Sequence, residues 1–315
     1  MVKQLLNDNL TLQISDLQVH FPVSKGLVKA VDGISARFEH GKITGIIGES
    51  GCGKSVLGQA LLGLLPDYVT RSGQILYRGT DILANAAGIP GFYGQEFALI
   101  PQNPGDALNP LRKIGRQFDD ILQAAALKDN DQQLKRSLLS YFGLSDTARI
   151  LSAYPHELSG GMLQRVLCAM SICCAPHWLL ADEPTKGLDE LSCTIVYDNL
   201  QKIKLRGELG MLVITHDLQL ARTICDRLAI MYAGQIVEYG KRLLTEPRHP
   251  YTKAFLNALP ENGFQPLAGL PPSPQEQRPG CRFAPRCSAC MERCRHEVPP
   301  PYMVDDTQVR CFLYA

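Results

Sequence analysis

Along residues 10–21 apolar and polar positions alternate (Leu12, Ile14, Leu17, Val19, Phe21), a period near two that predicts a strand, and residues 28–38 predict a second. The texture changes at Ile43. An unbroken apolar run, the pattern of a strand covered on both faces, breaks into glycines and restarts at Lys54 with helical spacing to Leu65, ahead of Pro66. Residues 74–76 predict a short strand, and three more apolar runs, 96–101, 178–181 and 211–215, read as buried strands. Between the first two of these runs, residues 108–158 turn charged. Leu134, Leu138, Leu139 and Phe142 fall there at helical spacing, which predicts a helical insertion. Residues 228–232 and 235–238 flank Ala233-Gly234 as a hairpin. Strands alternating with helices predict an α/β fold around a parallel sheet, whose ligands bind beyond the carboxyl ends of the strands.

Polar residues collect at those ends. Gly48-Glu49-Ser50-Gly51-Cys52-Gly53-Lys54-Ser55, followed by Val56, has the form G-x-x-x-x-G-K-S between a strand and a helix. The glycines let backbone N–H groups turn around phosphate oxygens, and the helix presents its positive end to the same anion. Lys54 is placed to reach the outer phosphates and Ser55 to ligate Mg²⁺, so a nucleoside triphosphate site is expected. Gln102 follows the 96–101 run, with Asn103-Pro104 after it. Asp182-Glu183 ends the 178–181 run, a pair suited to holding a metal's water shell and activating an attacking water, and Asp189 lies on the next loop. His216 and Asp217 end the 211–215 run. Ser159-Gly160-Gly161 opens a helix expected to run to Cys174, a second potential anion site. Phe21 reads either as a core aromatic or as a stacking face for a purine ring.

Composition narrows the field. The 315 residues are 45% hydrophobic with a formal net charge of +1, which gives no basic excess for a nucleic-acid partner. No apolar stretch approaches the roughly 18 to 20 residues of a membrane span, and the first 15 residues lack the layout of a signal peptide, so a cytosolic protein is expected. Twelve of the 21 prolines lie from Pro247 onward, and residues 265–279 have the composition of an extended strap. Beyond Gly280 come Cys281, Cys287, Cys290, Cys294 and Cys311, five of the eleven cysteines in a segment too short to build its own core. Four thiolates there can bind zinc or an iron–sulfur cluster, and disulfides would suit the spacing only outside the cytosol. The other six cysteines are scattered and read as small buried fillers.

With the phosphate loop, Gln102, the signature from Leu158 to Arg165 that opens on Leu158-Ser159-Gly160-Gly161, Asp182-Glu183, Asp189 and His216 in this order, the chain resembles the ATP-binding subunits of ABC transporters over essentially its whole length. The resemblance implies a nucleotide-hydrolysing α/β cassette over residues 1–245 with an N-terminal β subdomain and a helical subdomain at about 105–175. A Pro-rich linker over 246–279 and a small cysteine-rich extension over 280–315 would follow. It implies that two cassettes pair head to tail, Ser159 and Gly161 of one meeting the γ-phosphate held by Lys54 of the other. Glu183 is then the catalytic carboxylate and His216 a γ-phosphate contact. Gln102 joins the Mg²⁺ shell and the membrane subunits, and Phe21 stacks on adenine.

The runs at 100–104, 108–110, 154–157 and 248–252 resemble the oligopeptide, dipeptide and nickel importer branch. That branch implies a second ATPase subunit, two permease subunits, an indirect link to a solute-binding protein, and a place on the cytoplasmic face of the membrane. Lys186-Gly187 departs from the usual Thr-Ala of the branch, which adds a charge near the dimer seam. Its C-terminal extension holds a 4Fe–4S cluster in some members, with cysteines matching Cys281, Cys287, Cys294 and Cys311. Cys290 is supernumerary and could replace Cys311, and zinc remains the alternative metal. The sequence leaves the cargo open between peptide and nickel or a metal chelate.

Overall fold

The computed structural model describes residues 9–24, 26–127, 131–207, 209–259, 263, 265–273, 275 and 279–315. The chain forms two compact units. One is built from residues 85–224 with 9–10 and 39–43, the other from 11–38, 44–84 and 225–315.

In chain order, β1 (Leu12–Val23) and β2 (Gly26–Phe38) pair antiparallel and bury Leu12, Leu17, Val19, Val31, Ile34 and Phe38. Next come β3 (Ile43–Gly48), buried at every position, and α1 (Lys54–Leu61). β4 (Thr70–Tyr77) then lies on the other side of β1, and β5 (Thr80–Asp81) ends that four-stranded antiparallel sheet in the order β2-β1-β4-β5. β4 is eight residues long where the sequence predicts three. Its first five residues, Thr70-Arg71-Ser72-Gly73-Gln74, are all exposed and carry no apolar alternation, so only its buried end was visible in the pattern. Helix α1 stops four residues short of the expected Leu65. Gly63 N–H donates to Ala60 O (3.2 Å) and Leu64 N–H to Gln59 O (2.9 Å), closing the last turn before Pro66 can interfere.

The next stretch belongs to the other unit. β6 (Phe97–Ile100) leads into the helical insertion, which divides into α2 (Ile114–Ala124), α3 (Gln132–Tyr141) and α4 (Thr147–Ser152). Asp131 and Asp146 cap α3 and α4, accepting from Leu134 N and Arg149 N at 2.8 and 3.2 Å. Inside the insertion Lys135 is fully buried and satisfied by Asp119 at 2.5 Å. α5 (Gly160–Ser171) follows and ends three residues before the expected Cys174. β7 (Trp178–Asp182), α6 (Glu190–Leu205), β8 (Gly210–Ile214) and α7 (Leu218–Ile224) complete the unit. Strands β6, β7 and β8 are parallel neighbours, and β7 and β8 are apolar almost throughout, as strands buried along their length are.

The chain then returns to the first-described sheet's unit. β9 (Arg227–Tyr232) runs parallel to β3, and β10 (Gln235–Gly240) turns back antiparallel on β9 through the predicted Ala233-Gly234 hairpin. After α8 (Pro250–Asn257) and the linker, the tail forms α9 (Glu292–His296), β11 (Tyr302–Val304) and β12 (Thr307–Val309). β12 pairs antiparallel with β10, Glu238 opposite Val309, so the last strand of the tail lengthens the sheet that carries the phosphate loop. No helix is long and apolar enough to cross a membrane among the described residues.

Candidate functional site

Each unit carries its own part of the chemistry. In the unit that ends in the tail, β3 delivers the loop from Gly48 to Lys54 to the amino end of α1. Two of its glycines are required by close approach. A Cβ on Gly48 would lie 2.2 Å from Met231 O, and one on Gly53, at φ +103°, 2.0 Å from Ala30 O. Lys54 is buried, and its Nζ donates to Gly48 O (2.9 Å) and Glu49 O (3.2 Å), which arches the ammonium back over the loop. Ser55 is exposed one residue further on, and Ser50 and Gly51 are exposed at the loop's tip. Cys52 is buried beneath the loop, and burial pushes its thiol pKa up, which keeps it a neutral filler. Gly234 N–H donates to Cys52 O at 2.9 Å, tying the β9–β10 turn to the loop. Val56 is half-buried in the first turn of α1. Phe21, near the end of β1, is half-buried and meets Tyr68 edge-on at 6.3 Å.

In the other unit β7 and β8 bring acid and imidazole together. Asp182 is the last residue of β7 and half-buried. Glu183 takes the left-handed backbone region at φ +48°, rare for a residue with a side chain, and is held there by its N–H donating to Ile214 O at 2.8 Å. That turn buries Glu183 and aims its carboxylate at His216, whose Nδ1 meets Oε2 at 2.5 Å. The imidazole is 59% exposed and the carboxylate side chain 12%, so the pair presents the ring outward and keeps the acid inside. Tyr197 of α6 donates to Asp217 at 2.5 Å. Asp189 caps α6. The N–H and then the hydroxyl of Ser192 donate to its carboxylate (3.0 and 2.8 Å) and hold it below the usual carboxylate range. Gln102 is exposed after β6.

Ser159 caps α5 by accepting from Met162 N at 3.3 Å. Gly160 and Gly161 face open space, for a Cβ on either would meet nothing within 4 Å. Inside α5, buried Gln164 donates to Pro184 O at 3.0 Å and joins this signature helix to the turn that carries Glu183. Gln164 lies within the signature stretch, but nothing in the residues assigned it this contact, because a glutamine on a helix reads as surface.

The tail holds a further cluster. Cys281, Cys287, Cys294 and Cys311 line one small cavity with His249, Phe283 and Phe312. Cys290 is outside that lining and turns its thiol to Met291 O at 3.6 Å. Burial pushes the Cys281 thiol up to about 11 and raises Cys287 and Cys311, with the neighbouring thiols adding to the shift. Among the described residues no group of three or more His, Cys, Asp or Glu side chains stands ready to hold a metal ion, so the four thiols share a cavity without forming a finished ligand set. All eleven cysteines are free.

The sequence also missed how far the tail reaches. Arg286 donates to both carboxylate oxygens of Glu49 at 3.2 Å and to the Tyr232 hydroxyl at 3.3 Å, and the Tyr251 hydroxyl accepts the Glu49 N–H at 3.2 Å. An arginine beside a cysteine carries no signal of a partner 237 positions away.

The ABC transporter family profile matches residues 31–186, and the profile of the oligopeptide/dipeptide transporter C-terminal region matches residues 237–294. The dipeptide transport ATP-binding protein of Bacillus subtilis is 36% identical over 96% of this chain and 94% of its own length. The protein of the same description from Escherichia coli is 38% identical over 95% of each. Among solved structures, the dimeric ATP-binding cassette MJ0796 with ADP and phosphate superposes with a TM-score of 0.63 at 21% identity. It covers 73% of this chain and 98% of that one, a likeness of fold.

Proposed function

The chain belongs to the ATP-binding subunits of ABC transporters, in the dipeptide and oligopeptide branch, and we propose on that footing that its hydrolysis of ATP powers import of a di- or oligopeptide. The observation that carries the catalytic part is the Glu183–His216 contact, a buried carboxylate fixed by a rare backbone turn beside an exposed imidazole. Phosphoryl transfer asks the protein mainly for positioning and charge neutralisation. In this reading Lys54 swings from the loop carbonyls to the β- and γ-phosphates, with the N–H groups of residues 49–55 around them. Ser55 and Gln102 hold Mg²⁺, Asp182 orders its water shell, Glu183 activates the attacking water and His216 meets the γ-phosphate. Phe21 stacks on adenine. Ser159, Gly160 and Gly161 serve the nucleotide of a second ATPase subunit, near Asp189 at the seam.

Peptide is favoured over nickel as the cargo because the relatives described above are named for dipeptides. Two permease subunits, a solute-binding protein and a place on the cytoplasmic face of the membrane belong to the same reading. ATP-dependent uptake of a labelled dipeptide into vesicles holding the assembled complex tests it. Uptake of nickel but not of dipeptide would reverse the choice of cargo.

We also propose that Cys281, Cys287, Cys294 and Cys311 hold a 4Fe–4S cluster, supported by their shared cavity and by the position of Cys290 outside it. Drawing the four thiols together would cross-link the tail, a structural service that a segment with so small a core needs. Anaerobically purified protein is expected to contain about four iron and four acid-labile sulfide per chain. Replacing Cys290 with Ser should leave that content unchanged, and zinc in place of iron and sulfide would transfer the site to zinc.

A further inference from the structure

Three side chains of the segment from Cys281 to Cys287 reach the phosphate loop, two through neighbouring residues and one directly. Arg282 pairs with Asp32 and donates to Ala233 O, in the turn whose Gly234 N–H holds Cys52 O. Phe283 lines the cysteine cavity with one edge and packs against Tyr232 and Tyr251 at centroid distances of 5.3 and 5.4 Å. Tyr251 in turn accepts the Glu49 N–H. Arg286 is the most direct. Its guanidinium lies 5.7 Å from the centre of the Tyr232 ring, its Nε donates to Ala268 O at 3.0 Å, and one nitrogen bonds both Glu49 oxygens. The arginine side chain is 6% exposed and the glutamate 23%.

Glu49 poses an electrostatic problem. It is the second residue of a loop whose pattern assigns it a triphosphate of about three to four negative charges, and a carboxylate in that loop repels such a ligand unless its charge is cancelled. Arg286 cancels that charge from the side, and its planar guanidinium, held by Ala268 O through Nε and by the Tyr232 ring, fixes the direction from which one nitrogen grips both Glu49 oxygens.

We propose that Arg286 is a positioning residue for nucleotide binding, acting through Glu49 to neutralise and orient the phosphate loop from the C-terminal cysteine-rich unit. Its effect belongs to affinity. The charge it cancels repels bound and reacting phosphate alike, so its loss raises KM and leaves kcat almost untouched.

The inference rests on ATP being the ligand of the loop, and the experiment separates the two. ATP binding and steady-state hydrolysis are measured on the full chain in wild-type, Arg286→Ala and Arg286→Ala/Glu49→Gln forms. Arg286→Ala is expected to raise the Kd and KM for ATP about tenfold to a hundredfold with kcat within threefold of wild type. Removing the orphaned carboxylate in the double variant is expected to recover most of that loss, which mere damage to the tail would not allow. A Kd raised less than fivefold, a loss that Glu49→Gln does not relieve, or a fall in kcat at constant KM each overturns the proposal. If Arg286→Ala does not accumulate in folded form, Arg286→Lys decides. It keeps the charge without the fork and is expected to weaken ATP binding about threefold to tenfold, whereas an unchanged Kd overturns the role. Wild-type chain that fails to bind ATP would instead count against the nucleotide reading itself.

Discussion

Glu183 and Gly161 sit in the same unit, one helix and one strand apart along the chain, and are built in opposite ways. Glu183 is buried and conformationally strained, pinned by Ile214 O and bonded to His216. Gly161 lies at the start of a capped helix with open space where a side chain would go. Strain that the surroundings over-determine marks a group whose position is complete within the chain. Small residues at an open helix start, where almost any side chain would fit, are not required by the packing of their own chain, and the proposed function gives them a partner's phosphate to meet. In the proposed function, the acid is complete within the chain and the signature serves the nucleotide of a second subunit.

Substitutions at the two places should break or confirm that contrast. The largest effect is expected from Glu183→Gln, which keeps size and backbone but removes the base. Steady-state turnover of the assembled complex should fall about a thousandfold while ATP binding persists, and turnover within tenfold of wild type would remove Glu183 from the chemistry. Gly161→Asp comes next. The side chain has room and an acid suits a helix start, so the melting temperature of the isolated chain should stay within about 2 °C, yet turnover in the complex should drop about a hundredfold. A matching loss of thermal stability would mean that the glycine serves its own fold. His216→Ala should act more mildly, about tenfold on kcat, because Ile214 O still pins Glu183 after the imidazole is gone. An effect as large as that of Glu183→Gln would make the two residues one catalytic unit.

Much of this was legible in the residues. The phosphate loop, Asp182-Glu183, Ser159-Gly160-Gly161 and His216 announce themselves because their chemistry is concentrated in a few adjacent positions beside apolar runs. The order of strands β1 to β10, apart from β5, followed from the same runs, whereas β11, β12 and helices α6 to α9 did not. Other features depend on geometry that no local pattern encodes. A left-handed backbone at a glutamate is invisible where a glycine would have advertised it. Gln164 looks like surface until the turn it supports is in view. The exposed half of β4 has no alternation to detect, because only its last residues, Ile75 and Tyr77, are buried. The contact of Arg286 with Glu49 closes a loop of 237 positions, and the sequence between them says nothing about closure.

The pairing of β12 with β10 bears on how the protein is made. β10 is buried along its whole length, and its outer edge is covered by residues 307–309. Residues 307–309 follow β10 by roughly seventy positions, so during synthesis β10 exists well before the strand that covers it. Over that interval β12 is not yet there to pair its outer edge, the kind of surface that recruits other strands. The making of residues 307–309 therefore sets when that edge is sealed against neighbouring chains.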